Sequence, residues 1–273
     1  MIVARTIAEA RAGLEPQRGG SVGLVPTMGA LHAGHGALLT AARAECDTVV
    51  ASIFVNPAQF GPNEDLGRYP RDEAADLAAL EDAGVDLAFL PSADEMYPPG
   101  FQTWVDVEEL GRGLEGDARP GHFRGVATVC LKLFAIVRPH SAYVGQKDAQ
   151  QAEVVARLVE DLALGIEVRV LPTVRDDDGL ALSSRNAYLS PEERRAALAL
   201  PRALAVGTEA HRAGADAAEA ARATLRAEPG VRADYVEVAR WNGRAVLVAA
   251  ARVGSTRLID NVVLEGGRNE HDR

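Results

Sequence analysis

Ser21-Val22-Gly23-Leu24-Val25-Pro26-Thr27-Met28-Gly29-Ala30-Leu31-His32-Ala33-Gly34-His35 is the stretch on which the reading of this chain turns. Residues 21–25 form an apolar run of strand length, and residues 37–46 are rich in helix-forming Ala and Leu. A strand therefore hands over to a helix N-terminus, with two glycines and two imidazoles at the junction. Backbone N–H groups and the helix dipole favour negative charge there. Glycine lets the backbone approach a ligand without a Cβ in the way. His32 and His35 stand three apart, so both rings can face one side of a first helical turn. A polyphosphate suits such a corner best.

Outward from this junction, strand-like runs at 48–54, 87–90, 142–144 and 166–171 alternate with helical patterns at 72–83, 125–137 and 149–162. Alternation of this kind predicts an α/β fold: a Rossmann-like, mainly parallel sheet with helices on both faces. Ligands of such sheets bind beyond the carboxyl ends of the strands. Pro26, Asn56 and Gly145 fall just past predicted strand ends, which puts three distant segments on one rim. After Ser190 the pattern changes to Ala/Arg/Leu-rich helices, with Pro191 and Glu193 marking a capping-box start. A helix is predicted over 217–227, then strands at 235–238, 245–250 and 257–263. The expected division is 1–175, a nucleotide-binding domain, and 176–273, a smaller C-terminal α+β domain that closes over the site. The polar tail 266–273 is expected to fray.

The 273 residues are 47% hydrophobic, enough for a real core, and carry a net charge of −10. That charge argues against nonspecific binding to nucleic acid or an anionic membrane, so an anionic ligand has to be met by local groups. Cys46 and Cys130 lack metal-like spacing and read as buried thiols of a reducing compartment. No signal-peptide core and no membrane-length apolar run are visible, and a soluble, cytoplasmic protein is expected.

Four further segments carry side chains fit for chemistry. Asn56-Pro57-Ala58-Gln59 offers amides that both donate and accept, or is an ordinary turn. Gly145-Gln146-Lys147-Asp148 opens a helix after a strand and places a point charge near the rim. The segment 176–186 combines the hydroxyls of Ser183 and Ser184 with the Arg185 guanidinium and reads as a compact phosphate clamp, a linker between domains, or both. Arg119-Pro120-Gly121-His122-Phe123-Arg124-Gly125-Val126 marks either a substrate pocket or an elaborate helix entry. His140, His211 and His271 read as structural or surface groups. A zinc ion on His32 and His35 would need a third protein ligand, and none stands at a recognisable spacing.

Taken in order, VPTMGALHAGH, SIFVNPAQFGPNEDLGRYPR, RPGHFRGVATV, YVGQKDAQQ and GLALSSRN resemble the pantoate–β-alanine ligase (pantothenate synthetase) family. That family lies within the nucleotidyltransferase superfamily that carries His-x-Gly-His. The resemblance implies an ATP-dependent condensation of pantoate with β-alanine through pantoyl adenylate, releasing AMP and pyrophosphate. It also implies a Mg2+ requirement, a homodimer, and small-molecule partners only. By resemblance, Met28, Gly29, Ala30, Leu31, His32, Ala33, Gly34 and His35 frame ATP, with both histidines on the phosphates. Gly145, Gln146, Lys147 and Asp148 hold adenosine and ribose, with Lys147 reaching the phosphates. Val174 meets adenine through its backbone, Leu182 belongs to the ATP-binding set, and Ser183, Ser184 and Arg185 form a phosphate loop. His35, His32, Lys147 and Arg185 are the implied catalytic residues. Gln59 and Gln151 grip pantoate, and Asp76 is a magnesium partner. Two positions depart from the family pattern: Gln146 replaces an expected Glu, and Ala75 replaces an acidic neighbour of Asp76. An adenylyltransferase acting on a phosphate ester, or an ATP-sensing module, would share the histidine corner.

Overall fold

The computed structural model describes residues 1–17, 19–62 and 64–264. They fall into two compact units, Met1–Gln146 with Gln150–Pro172, and Lys147–Ala149 with Thr173 onward.

The first unit is built on a six-stranded sheet. Its elements are β1 (Ile2–Ala4), α1 (Ile7–Leu14), β2 (Val22–Thr27), α2 (Ala33–Glu45), β3 (Thr48–Ile53), α3 (Glu73–Asp82), β4 (Leu87–Phe89), α4 (Ala93–Met96), α5 (Glu115–Ala118), α6 (His122–Val137), β5 (Ser141–Gly145), α7 (Ala149–Asp161) and β6 (Glu167–Leu171). The strand order is β1-β4-β3-β2-β5-β6, and every pairing is parallel. Successive residues of a strand point to opposite faces. Thus Val50 packs with Leu14 of α1, Leu133 of α6 and Val155 of α7. Val49 and Ala51 pack instead with Leu39 of α2 and Leu80 of α3. Helices therefore cover both faces, as the alternation predicted. β1 and α1 were not foreseen: β1 has only three residues, and its Ile2 and Val3 are exposed at the sheet edge.

From β2 the chain steps to β3 on one side, while β5 joins on the other, so the strand order switches between β2 and β5. These two strands pair only through Gly23↔Ser141 and Leu24↔Ala142, although β2 runs on to Thr27 and β5 to Gly145. Past Leu24 they part, which opens the crevice that open α/β sheets use for ligands. Pro26, expected just past the strand, lies inside it and is in register with Ser52 of β3. The carbonyls of Ser21 and Thr27 accept from β3-side N–H groups, so Pro26 turns toward β5, where pairing has ended. A missing N–H costs nothing at that place.

The second unit holds α8 (Pro191–Ala197), α9 (Ala199–Arg212), α10 (Ala217–Arg226), β7 (Val231–Trp241), β8 (Arg244–Val253) and β9 (Thr256–Leu264). Ser190 and Glu193 form the anticipated capping box at α8. The strands make an antiparallel β7-β8-β9 sheet whose Leu247 and Ala249 pack with Leu200, Leu204 and Leu225 of the helices. Residues 266–273 lie outside the described residues. Both cysteines are buried free thiols. Among the described residues no helix is long and apolar enough to cross a membrane.

Candidate active site

The β2–α2 junction is organised by a reciprocal pair of imidazoles. His32 caps α2, its Nδ1 accepting the Gly34 N–H at 3.1 Å, while His35 Nδ1 accepts the His32 N–H at 3.3 Å. The rings lie 4.2 Å apart, centroid to centroid, tilted by 37°. A ring nitrogen that accepts a backbone N–H carries no proton, so each neutral imidazole keeps its proton on Nε2. The corner thus presents two N–H donors of known tautomer.

The sequence reading placed open backbone N–H groups here, and the structure corrects it. The N–H groups of Ala30 and Leu31 donate to the two carboxylate oxygens of Asp76, at 2.9 and 2.8 Å. Gly29 donates to Thr27 Oγ1, and His35 and Gly36 donate to the His32 carbonyl. Anion attraction therefore rests on the imidazoles and the α2 dipole rather than on a nest of N–H groups. Asp76 is 4% exposed, and each of its oxygens is engaged by one backbone N–H. Among the described residues no cluster of three or more His, Cys, Asp and Glu could hold a metal.

Beside this corner, Gln59 is fixed from both sides. Asn56 is 1% exposed; its Oδ1 accepts from Tyr97 Oη (2.8 Å) and the Ala58 N–H (3.2 Å). Its Nδ2 donates to Gln59 Oε1 at 3.0 Å and to the Gly125 carbonyl at 3.2 Å. Gln59 Nε2 in turn donates to Met28 Sδ at 3.2 Å. This chain of donors fixes which end of the Gln59 amide carries N–H, and it couples the second motif to the first. Gly125 admits the contact because a Cβ there would sit 2.3 Å from the Ala58 carbonyl oxygen.

The Arg119–His122 segment braces the same loop. Arg119 forks onto Glu64 (2.9 and 2.6 Å) and donates to His122 Nε2 (3.1 Å), leaving His122 Nδ1–H to donate to the Gln59 carbonyl (2.9 Å). Burial, reinforced by the Arg119 charge, lowers the His122 pKa to about 4. His122 is then neutral at pH 7, as its two hydrogen bonds require. The folded state binds fewer protons than the unfolded one between pH 6.5 and 4. Acid therefore removes stability across that window, by about 3 kcal/mol. Denaturant titrations of the parent chain and His122→Asn should show this extra loss in the parent only. Parallel pH profiles would contradict it.

Gln151 is half-buried on the first turn of α7, whereas its neighbour Gln150 is 6% exposed and holds the Leu110, Arg112 and Gly113 carbonyls. In the second unit, Lys147 and Asp148 are ion-paired at 3.6 Å. The Lys147 carbonyl accepts from Asn261 Nδ2 at 2.9 Å. Val174 receives the Leu182 N–H on its carbonyl at 3.0 Å, at the end of a hairpin bridged by Arg175 and Ala181. Ser183 caps the single-turn helix Ser184–Tyr188 by accepting the Arg185 N–H at 3.3 Å.

A sequence profile described as Pantoate-beta-alanine ligase matches residues 2–263. The chain belongs to the pantoate–β-alanine ligase family. A pantothenate synthetase of Roseiflexus sp. (strain RS-1) is 57% identical over 281 residues, covering 97% of this chain and all of the relative. The crystal structure of pantothenate synthetase from Thermus thermophilus superposes with a TM-score of 0.92 at 50% identity, covering 97% of this chain and 99% of that one. Pantoate-β-alanine ligase from Francisella tularensis, complexed with β-γ ATP and β-alanine, superposes with a TM-score of 0.83 at 36% identity over 98% of this chain and 99% of that one. The family assignment embraces both units, since the profile runs from β1 to within one residue of the end of β9. Asn56 reads from sequence as a candidate amide or a turn residue, whereas Tyr97, Asp260 and Asn261 carry no such reading. The signal available for the last two was a polar pair inside an otherwise apolar strand.

Proposed function

We propose that this chain is a carbon–nitrogen ligase that condenses pantoate with β-alanine at the expense of Mg-ATP. The observation that carries it is the paired-histidine cap on the parted ends of β2 and β5, in a chain matched to the ligase family along almost its whole length. A pantoate carboxylate oxygen attacks the α-phosphorus, the bond to the β-phosphate oxygen breaks, and pyrophosphate leaves. The β-alanine amine then attacks the acyl carbon of pantoyl adenylate, loses a proton, and AMP departs with the anhydride oxygen. Both steps join pre-formed groups, so the protein acts by alignment and by neutralising charge on the phosphates.

His32 and His35 donate Nε2–H to phosphate oxygens, and residues 28–34 shape the loop around the nucleotide. Lys147 and Arg185, with Ser183 and Ser184, supply charge and hydroxyls to the phosphates. Gly145, Gln146 and Asp148 receive the adenosine and its ribose, Val174 meets the adenine, and Leu182 completes the ATP-binding set. Gln59, with its N–H end set by Asn56, and Gln151 bind pantoate. Magnesium enters with ATP as part of the substrate.

The test separates the ligase from its rivals. Pyrophosphate release should require pantoate, and AMP release should require β-alanine as well. Pyrophosphate formed equally well without pantoate would refute the ligase, a phosphate-ester acceptor would establish the adenylyltransferase, and binding without turnover the sensor.

A further inference from the structure

β9 carries Asp260 and Asn261 side by side in a run of Leu258, Ile259, Val262 and Val263, and the two are 3% and 4% exposed. A buried carboxylate and a buried amide cost stability unless fully partnered, and an apolar pair would serve a sheet equally well. Their partners lie where the proposed nucleotide residues are. The Asp260 carboxylate receives both prongs of Arg175, at 2.6 and 2.9 Å, and the Asn261 N–H at 2.8 Å. Arg175 follows Val174 and also donates to the Gly179 carbonyl at 3.1 Å, so it locks the hairpin that carries Val174 and Leu182. Asn261 Nδ2 donates to the backbone carbonyl of Lys147, 114 residues away.

We propose that Asp260 and Asn261 are positioning residues for the nucleotide: Asn261 sets the Lys147 backbone for the phosphates, and Asp260, through Arg175, sets the Val174 hairpin for adenine. The inference rests on the reading of Lys147 as a phosphate-binding residue and Val174 as an adenine contact. It divides one nucleotide into two independently held parts, each tied to one residue of a single strand. Neither residue touches substrate; each fixes the backbone of a segment that does.

Two probes separate the parts: ATP, and tripolyphosphate, which lacks the adenosine. Binding of both to the full-length chain is measured by calorimetry. Asn261→Ala should weaken ATP and tripolyphosphate alike, by about tenfold, because the loss falls on the phosphates. Asp260→Asn should weaken ATP by a similar factor and leave tripolyphosphate unchanged. In turnover both variants should raise KM for ATP with KM for pantoate unmoved. A merely structural role would lower the active fraction and leave both affinities of the remaining protein intact, and that result overturns the inference. If Asn261→Ala yields no folded protein, Asn261→Asp, an isostere without the N–H donor, reads the same contact. Lys147→Met keeps the underlying reading separate. Unchanged tripolyphosphate affinity in that variant would refute the phosphate role of Lys147 itself. Lost affinity there, with parental affinity in Asn261→Ala, would overturn only the positioning role.

Discussion

Pantoate-dependent ATP–pyrophosphate exchange should fall by roughly 100- to 1,000-fold in His35→Ala, the size of effect seen when one pre-organised donor to a developing negative charge is removed. The imidazole has two duties that can be pulled apart. Its Nδ1 accepts the His32 N–H and so completes the α2 cap, while its Nε2–H is the donor proposed for phosphate. Losing the cap alone costs about 1 kcal/mol of stability. His35→Asn places an acceptor near the Nδ1 position but has nothing where Nε2 stood. This variant should regain the lost stability and none of the lost rate. If the rate returns with the stability, His35 is only a cap and the catalytic assignment fails. Because His32 and His35 hold each other through the same capping box, the double alanine variant should be little slower than either single one.

Much of this corner was legible in the sequence, because strand, glycine, histidine and helix follow one another within fifteen residues and local chemistry governs them. The alternation of apolar runs likewise gave the parallel sheet, since each βαβ unit is encoded in consecutive segments. What escaped were partners distant in sequence. Asp76 lies 46 residues from Ala30, and an acidic residue in the first turn of a helix gives no sign that two remote N–H groups will occupy its oxygens. The Arg119–His122 segment showed its density of function but not its direction, which is toward the Gln59 backbone 63 residues earlier. The N-terminal strand was missed because an edge strand of three residues has no room for a period. Asp260 and Asn261 read from sequence as strand residues; burial of a polar pair among the apolar side chains of β9 is visible only in the fold.

Asp76→Ala should cost more stability than any cap or surface change, because two buried N–H groups lose a charged acceptor at once. Hydrogen bonds to a charged group contribute about 1.5–3 kcal/mol each, so a loss of about 3–5 kcal/mol is expected. In a chain of this size that lowers the melting temperature by roughly 10 °C. The two N–H groups belong to a strained loop: Gly29 has φ +80° and Ala30 has φ +51°. Gly29 is also needed for approach, since a Cβ there would stand 2.8 Å from the Asp76 carboxylate. Alanine in the left-handed region costs about 1–2 kcal/mol, which the carboxylate offsets by gripping both flanking N–H groups. Without that grip the loop relaxes and the histidine pair moves with it, so adenylation should fall by about 100-fold or more. Asp76→Asn decides between brace and metal ligand. Its amide keeps one acceptor and turns N–H toward the other donor, so about half the stability should be lost. A brace leaves the Mg2+ concentration for half-maximal rate unchanged at saturating ATP. A ligand would raise that concentration by orders of magnitude while leaving the melting temperature near the parent's, and that pairing of results would establish the metal role.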